Sequence, residues 1–147
     1  MTADFEIGRD GPSSILVCVD GSSTSLRASA YAAGLARRQR SRLVAVYVVN
    51  LMLTAMAPDL TGAMTEAQDH LARTLQADVE SGAAYAGIPV QFRVAHGDPY
   101  TEICRIAERE RVDAVIVGAS AHAGHRLVGS LAVRLVRAGR WPVTVVP

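Results

Sequence analysis

Between Gly118 and Ser130 the chain carries residues suited to holding an anion. Gly118, Gly124 and Gly129 have no Cβ, so backbone N–H groups there can come close to a negatively charged group. Ser130 opens a helix predicted over residues 130–138, and a helix N-terminus favours negative charge. His122, His125 and Arg126 add side-chain donors. The same residues also fit a plain strand-to-helix turn in which Gly118 ends a strand, Gly124 makes a bend and Ser130 caps. Spacing alone leaves both readings open.

Other chemistries find less support. No Gly-Lys-Ser/Thr follows, so the loop is not a Walker sequence, and it is not G-x-G-x-x-G. Gly118-Ala119-Ser120-Ala121 begins like a nucleophile elbow, but His122 stands where the second glycine belongs. His122 and His125 have no cysteine or carboxylate cluster beside them in the loop, so no metal is expected. His70 and His96 read as ordinary surface and strand-end residues. No nucleophile, base and orienting partner can be assembled, so an enzyme is not expected. No base for a hydrolytic step can be named either.

The elements that must position these residues follow from hydropathy. "SILVCVD" is a continuous apolar run ending at Asp20-Gly21, as for a strand buried on both faces. In the next stretch Leu26, Ala30 and Ala33 fall at helical spacing, with Ser22 or Ser23 as the cap. "RLVAVYVVN" repeats the strand signal. The connection 51–60 around Pro58 fits no element. A long helix is predicted from about Thr61 to Ala86 with Ala67, Leu71, Leu75 and Val79 on one face, stopped by Gly87 and Pro89.

"PVQFRVAH" alternates, with Val90, Phe92 and Val94 on one side, as for a half-wet edge strand. Asp98 caps and Pro99 opens the following helix, whose apolar face is Ile103, Ile106 and Ala107. "VDAVIVG" and "PVTVV" are the remaining strands. Strands alternating with helices imply a parallel sheet with helices on both faces. Ligands bind such sheets beyond the carboxyl ends of the strands, where the strand order reverses. The Asp20-Gly21-Ser22 turn and the Gly118–Ser130 loop would be neighbours there if the first and fourth strands pair.

Bulk properties bound the partners. A chain of 147 residues with net charge +1 suits one domain and gives no electrostatic case for nucleic acid or a membrane surface. Arg37, Arg38, Arg40 and Arg42 read as the solvated end of a helix. Cys18 and Cys104 read as free thiols in a reducing compartment. The N-terminus has no apolar signal region, and the run Leu43 to Leu53 is too short to span a bilayer. The expected location is the cytoplasm. Residues 1–13 are expected to form a flexible arm, and residues 14–147 the domain.

"ILVCVDGSSTSLRASAYAAGLA", "GDPYTEICRIAERERVDAVIVGAS" and "VGSLAVRLVRAGRWPVTVVP" together resemble the universal stress protein family. The resemblance covers nearly the whole chain from about Ser14. It implies a doubly wound five-stranded parallel sheet of order 3-2-1-4-5, Rossmann-like and similar to the adenine nucleotide alpha hydrolases. It also implies a homodimer. Many family members bind ATP or another adenine nucleotide, whereas others bind none and act through their surfaces.

By this resemblance Asp20 would meet the adenine, with Gly21 and Ser22 beside it and a backbone contact from Val48. Gly97 and Ser120 would lie nearby. Phosphate and ribose would lie over Gly118, Gly124, Gly129 and Ser130, with His125 and Arg126 as added donors. The family pattern is Gly-x2-Gly-x9-Gly-Ser/Thr. Here Gly118 and Gly129 enclose ten residues, two fewer than the pattern, and Ala121 stands at the second glycine. A smaller ligand such as AMP is therefore an alternative to ATP. The apolar terminal strand, Val143 to Val146, would pair with a second copy across a two-fold axis, with Trp141 as an anchor. Any further protein partner is unknown from sequence.

Overall fold

The computed structural model describes residues 12–120 and 129–147. Five strands form one sheet: β1 (Ser14–Cys18), β2 (Arg42–Val49), β3 (Val90–His96), β4 (Ala114–Gly118) and β5 (Val143–Val146). Their order is β3-β2-β1-β4-β5 and every neighbouring pair is parallel, so the order reverses between β1 and β4. The helices are α1 (Ser23–Gln39), α2 (Leu51–Ala55), α3 (Thr61–Ala86), α4 (Pro99–Arg109) and α5 (Ser130–Ala138). The unassigned connection is α2 followed by a single 3-10 turn at Pro58–Leu60.

Alternation along the strands divides the core in two. Ile15, Val17, Leu43, Ala45 and Tyr47 face α1 and α3, while Leu16, Val44, Val46, Val115 and Val117 face α4 and α5. The start of β1 is pinned by Asp113, whose carboxylate accepts from the Ser13 and Ser14 amides at 2.8 and 3.0 Å. Ser13, assigned to the arm from sequence, is thus tied to the turn before β4; residues 1–11 lie outside the described residues.

Three expectations about side-chain faces need correction. The α1 stripe on the sheet is Ala28, Ala32 and Ala36, all fully buried, with Ala33 partly buried against the same core, whereas Leu26 and Ala30 are exposed. Alanines let the helix axis approach the sheet closely, and the leucine is displaced to the flank, where Leu26 is 55% exposed. On α3 the packed face begins at Leu71 and runs through Leu75 and Val79 to Ala83; Ala67 is exposed. On β3, Val90 and Phe92 pack on the core beneath α1 and α3 as expected, but Val94 is exposed, and Ala95 is buried in the core on the other face.

Helix α1 begins with a compact hydroxyl cap. Ser22 Oγ accepts from the Ser25 amide at 3.2 Å, and Ser25 Oγ both donates to the Ser22 carbonyl and accepts from the Asp20 amide. Removing that cap as Ser22→Ala should cost about 1 kcal/mol. Urea denaturation would register it as a lower midpoint at unchanged slope.

Candidate functional site

The reversal of strand order leaves a cleft of about 400 Å³ over the carboxyl ends of β1 and β4. One wall comes from the turn after β1 and the first turn of α1: Asp20, Ser22, Thr24 and Ser25. The other comes from the end of β4 and the start of α5: Gly118, Ala119, Ser120, Gly129 and Ser130. Cys18, Val46, Val48 and Asn50 close the β2 side, and Pro99 and Ile103 of the α4 region complete it.

Each wall is placed by local chemistry. The Asp20 carboxylate accepts from the Ser22 amide at 2.8 Å, an Asx turn that reverses the chain out of β1 into α1. Strand β2 outruns β1. Val46 accepts from the Val19 amide at 2.9 Å and so turns its peptide groups toward β1. Every second residue does the same, so Val48 presents its backbone to the space beyond the end of β1. Asn50 follows, and its side chain accepts from the Met52 amide to start α2.

The two helix N-termini are not equivalent. In α1 the Ser25 amide is taken by Ser22 Oγ. Gly129 at the head of α5 has no side chain to cap with, and no acidic residue sits in the first turn. The first amides of α5 therefore face the cleft with no side-chain cap from the described residues. Asp20 is the only charged side chain among the described residues lining the cleft. The cleft thus has an acceptor at its β1 end and backbone donors at its α5 end.

Asp20 also acts on its neighbours. Burial, and then the charge of Asp20, pushes the Cys18 thiol up to about 12 and the Tyr47 phenol upward. Cys18 is therefore a protonated thiol at neutral pH and no nucleophile, although it lines the cleft. Among the described residues no group of His, Cys, Asp and Glu could hold a metal ion. Nor is any helix of the described residues long and apolar enough to cross a membrane.

The structure brings together six of the residues singled out from sequence: Asp20, Ser22, Val48, Gly118, Gly129 and Ser130, with Ser120 as a seventh. Gly21 and Gly97 are not part of the lining. Gly21 has φ +83° and faces Leu71 and Leu75 of α3; Gly97 has φ +147° and lies against the Glu102 side chain. Both are needed to turn the chain. Gly124, His125 and Arg126 lie outside the described residues. Gly118 lines the cleft for another reason than the expected one. A Cβ there would stand 2.7 Å from the Thr24 carbonyl carbon and 2.8 Å from the Ser25 nitrogen, so the missing methyl lets α1 lie against β4. The residues that sequence reasoning missed are Cys18, Thr24, Ser25 and Asn50, whose only signal was their nearness to the ends of β1 and β2.

Comparison with known proteins places this geometry. The sequence model of the universal stress protein family matches residues 13–147. The chain belongs to that family. A universal stress protein of Methanocaldococcus jannaschii is 28% identical over 141 residues, 90% of this chain and 80% of that one. The crystal structure of a universal stress protein family member from Burkholderia pseudomallei superposes with TM-score 0.74 at 26% identity, covering 92% and 96% of the two chains. A universal stress protein crystallised in complex with cAMP matches with TM-score 0.66 at 21% identity, covering 93% and 98%. The same fold is found in a dAMP complex from Archaeoglobus fulgidus, at TM-score 0.68 and 18% identity, and in an AMP-bound protein from Arabidopsis thaliana, at 0.67 and 17%.

Proposed function

We propose that this chain is a cytoplasmic adenine-nucleotide-binding module of the stress-protein type, in which occupancy of the cleft alters what the protein binds. One observation carries the reading: a single cleft joins the Asp20 carboxylate and Val48 backbone at one end to the open N-terminus of α5 at the other. A carboxylate accepts from an adenine amino group, a strand backbone pairs with a ring nitrogen, and helix amides receive phosphate. The volume is that of a small-ligand site. Nucleotide complexes of proteins with this fold support it.

The charge pattern refines the ligand. No cation among the described residues lines the cleft, and Asp20 is negative. One phosphate on α5 is favourable, while each further phosphate gains no described counter-charge. Gly118 and Gly129 also enclose two residues fewer than the family pattern, so a nucleoside monophosphate or cyclic AMP is expected to bind more tightly than ATP. Isothermal titration with AMP, cyclic AMP, ADP and ATP tests both points. No heat at millimolar ligand would remove the nucleotide reading, and tightest binding of ATP would remove the charge argument.

A second reading, a module with a vestigial pocket that acts through its surfaces, is favoured by the shortened Gly118–Ser130 loop. It predicts silent titrations. In both readings the chain works as a homodimer through β5, whose Val143, Val145 and Val146 are only half-buried at the sheet edge. Light scattering at micromolar concentration should return twice the 15.6 kDa chain mass. A monomer mass would rule the interface out.

A further inference from the structure

A second cavity lies on the sheet face covered by α1 and α3, away from the Gly129–Ser130 wall. Its volume is about 170 Å³ and its floor is Val17 and Leu43. We infer that it is a binding site for a compact apolar molecule, about one aromatic ring in size, that carries a cationic amine.

The cavity exists because small residues face small residues. On α1 the flank toward α3 is Ser29, Ala30 and Ala33. On α3 the inward stripe is large at Leu75 but falls to Gly82 and Ala83 farther along. The groove is half-open rather than sealed: Leu26 is 55% exposed, and Ala30, Asp78 and Gly82 at its rim are exposed as well. Gly82 sharpens the point. A glycine inside a helix costs about 1 kcal/mol relative to alanine. Neither a positive φ nor a close neighbour requires it here: a Cβ at Gly82 would meet nothing within 4 Å. Among the described residues nothing fills the space beside it.

The chemistry of the lining selects the ligand. Apolar cavities of about 150 Å³ take up a benzene-sized body. Apart from Asp78 the lining is aliphatic but for the hydroxyls of Ser25 and Ser29, which already donate to the Ser22 and Ser25 carbonyls. Asp78 is the only charged lining residue. It interrupts the inward stripe between Leu75 and Gly82, and its carboxylate has no hydrogen bond or ion pair with any described residue. A carboxylate on the rim of an apolar hole attracts a cationic head and repels an acidic one. Val19 and Ser25 belong to the linings of both cavities and form the partition between them. The inference does not depend on what the other cavity holds.

Amide chemical-shift titration of the full chain tests it, with phenethylamine and phenylacetate as probes of one ring and opposite charge. Phenethylamine should give saturable shifts centred on Ala30, Ala33, Gly82 and Ala83 below about 20 mM, with phenylacetate roughly tenfold weaker. Gly82→Leu fills the space and should abolish the saturable response in a protein whose circular dichroism is unchanged; Ala30→Leu should do so from the opposite wall. Asp78→Asn should weaken phenethylamine about three- to fivefold and erase most of the preference over phenylacetate. The inference is overturned by the absence of saturable shifts with either probe, or by undiminished binding to Gly82→Leu and Ala30→Leu. Contacts from Phe5 to Ala33 or Val79 in the unliganded protein would also overturn it, because the chain's own N-terminal segment would then be the occupant. An unchanged amine preference in Asp78→Asn would overturn the assignment of the cationic head.

Discussion

Gly118→Val should destabilise the protein by about 3 kcal/mol or more, a large part of the stability of a domain this size. The argument is geometric. A Cβ at Gly118 meets backbone, at 2.7 Å from the Thr24 carbonyl carbon and 2.8 Å from the Ser25 nitrogen, and backbone has no rotamer by which to yield. Relief would require α1 to lift from β4, which strips the fully buried Ala28 and Ala32 of their partners on the sheet. Gly129 offers the contrast. Its φ is −62°, and an added Cβ would meet the Ser120 Cβ at 3.1 Å and the Ser120 backbone at an ordinary 3.6 Å. Gly129→Ala should therefore fold with a near-normal midpoint. Urea denaturation of both variants distinguishes the cases, and a Gly118→Val protein with the parent's midpoint would refute the close-approach account. It follows that Gly118→Val cannot serve as a clean probe of ligand approach.

Asp20→Ala should weaken AMP binding by about ten- to a hundredfold, since a hydrogen bond to a charged group contributes about 1.5–3 kcal/mol. The loss has two sources. The acceptor for the adenine amino group disappears, and the Ser22 amide loses the carboxylate that shapes the turn into α1. Asp20→Asn separates them, because its side-chain oxygen can keep the turn while half of its amide repels a donor. If Asn binds AMP as weakly as Ala while melting like the parent, the carboxylate is read by the ligand. Equal affinity in all three proteins by calorimetry would show that Asp20 does not touch the nucleotide.

Much of the framework could be read from the residues. Runs such as "SILVCVD" and "VDAVIVG" are apolar on every residue because both sheet faces are covered, and the Asp98-Pro99 start of α4 is a local signal that survives folding. The strand order and the family came from the joint pattern rather than from any single run. What failed was choice among faces. In α1, alanine and serine occur all round the helix, so a hydrophobic stripe drawn through Leu26 looked better than the alanine stripe that packs. The sheet selects small residues for close approach, which hydropathy does not record. The site shows the same split. Asp20 and Ser130 sit where local turn and helix signals place them, whereas Asn50 reaches the cleft because β2 outruns β1, and Thr24 and Cys18 because the end of β1 and the start of α1 meet there, relations between elements.

The carboxylate that holds the start of β1 comes from Asp113, 99 positions away from Ser14 in the chain. The β1–α1–β2 unit can close over a short span, but the β1–β4 pair cannot form until a far longer loop has been brought back. The cleft needs both, so its assembly is expected in the later phase of folding, when non-local pairings are made. Stopped-flow refolding with an environment-sensitive adenine analogue should therefore show backbone circular dichroism recovering before ligand uptake. Simultaneous recovery would mean that the two halves of the sheet condense as one.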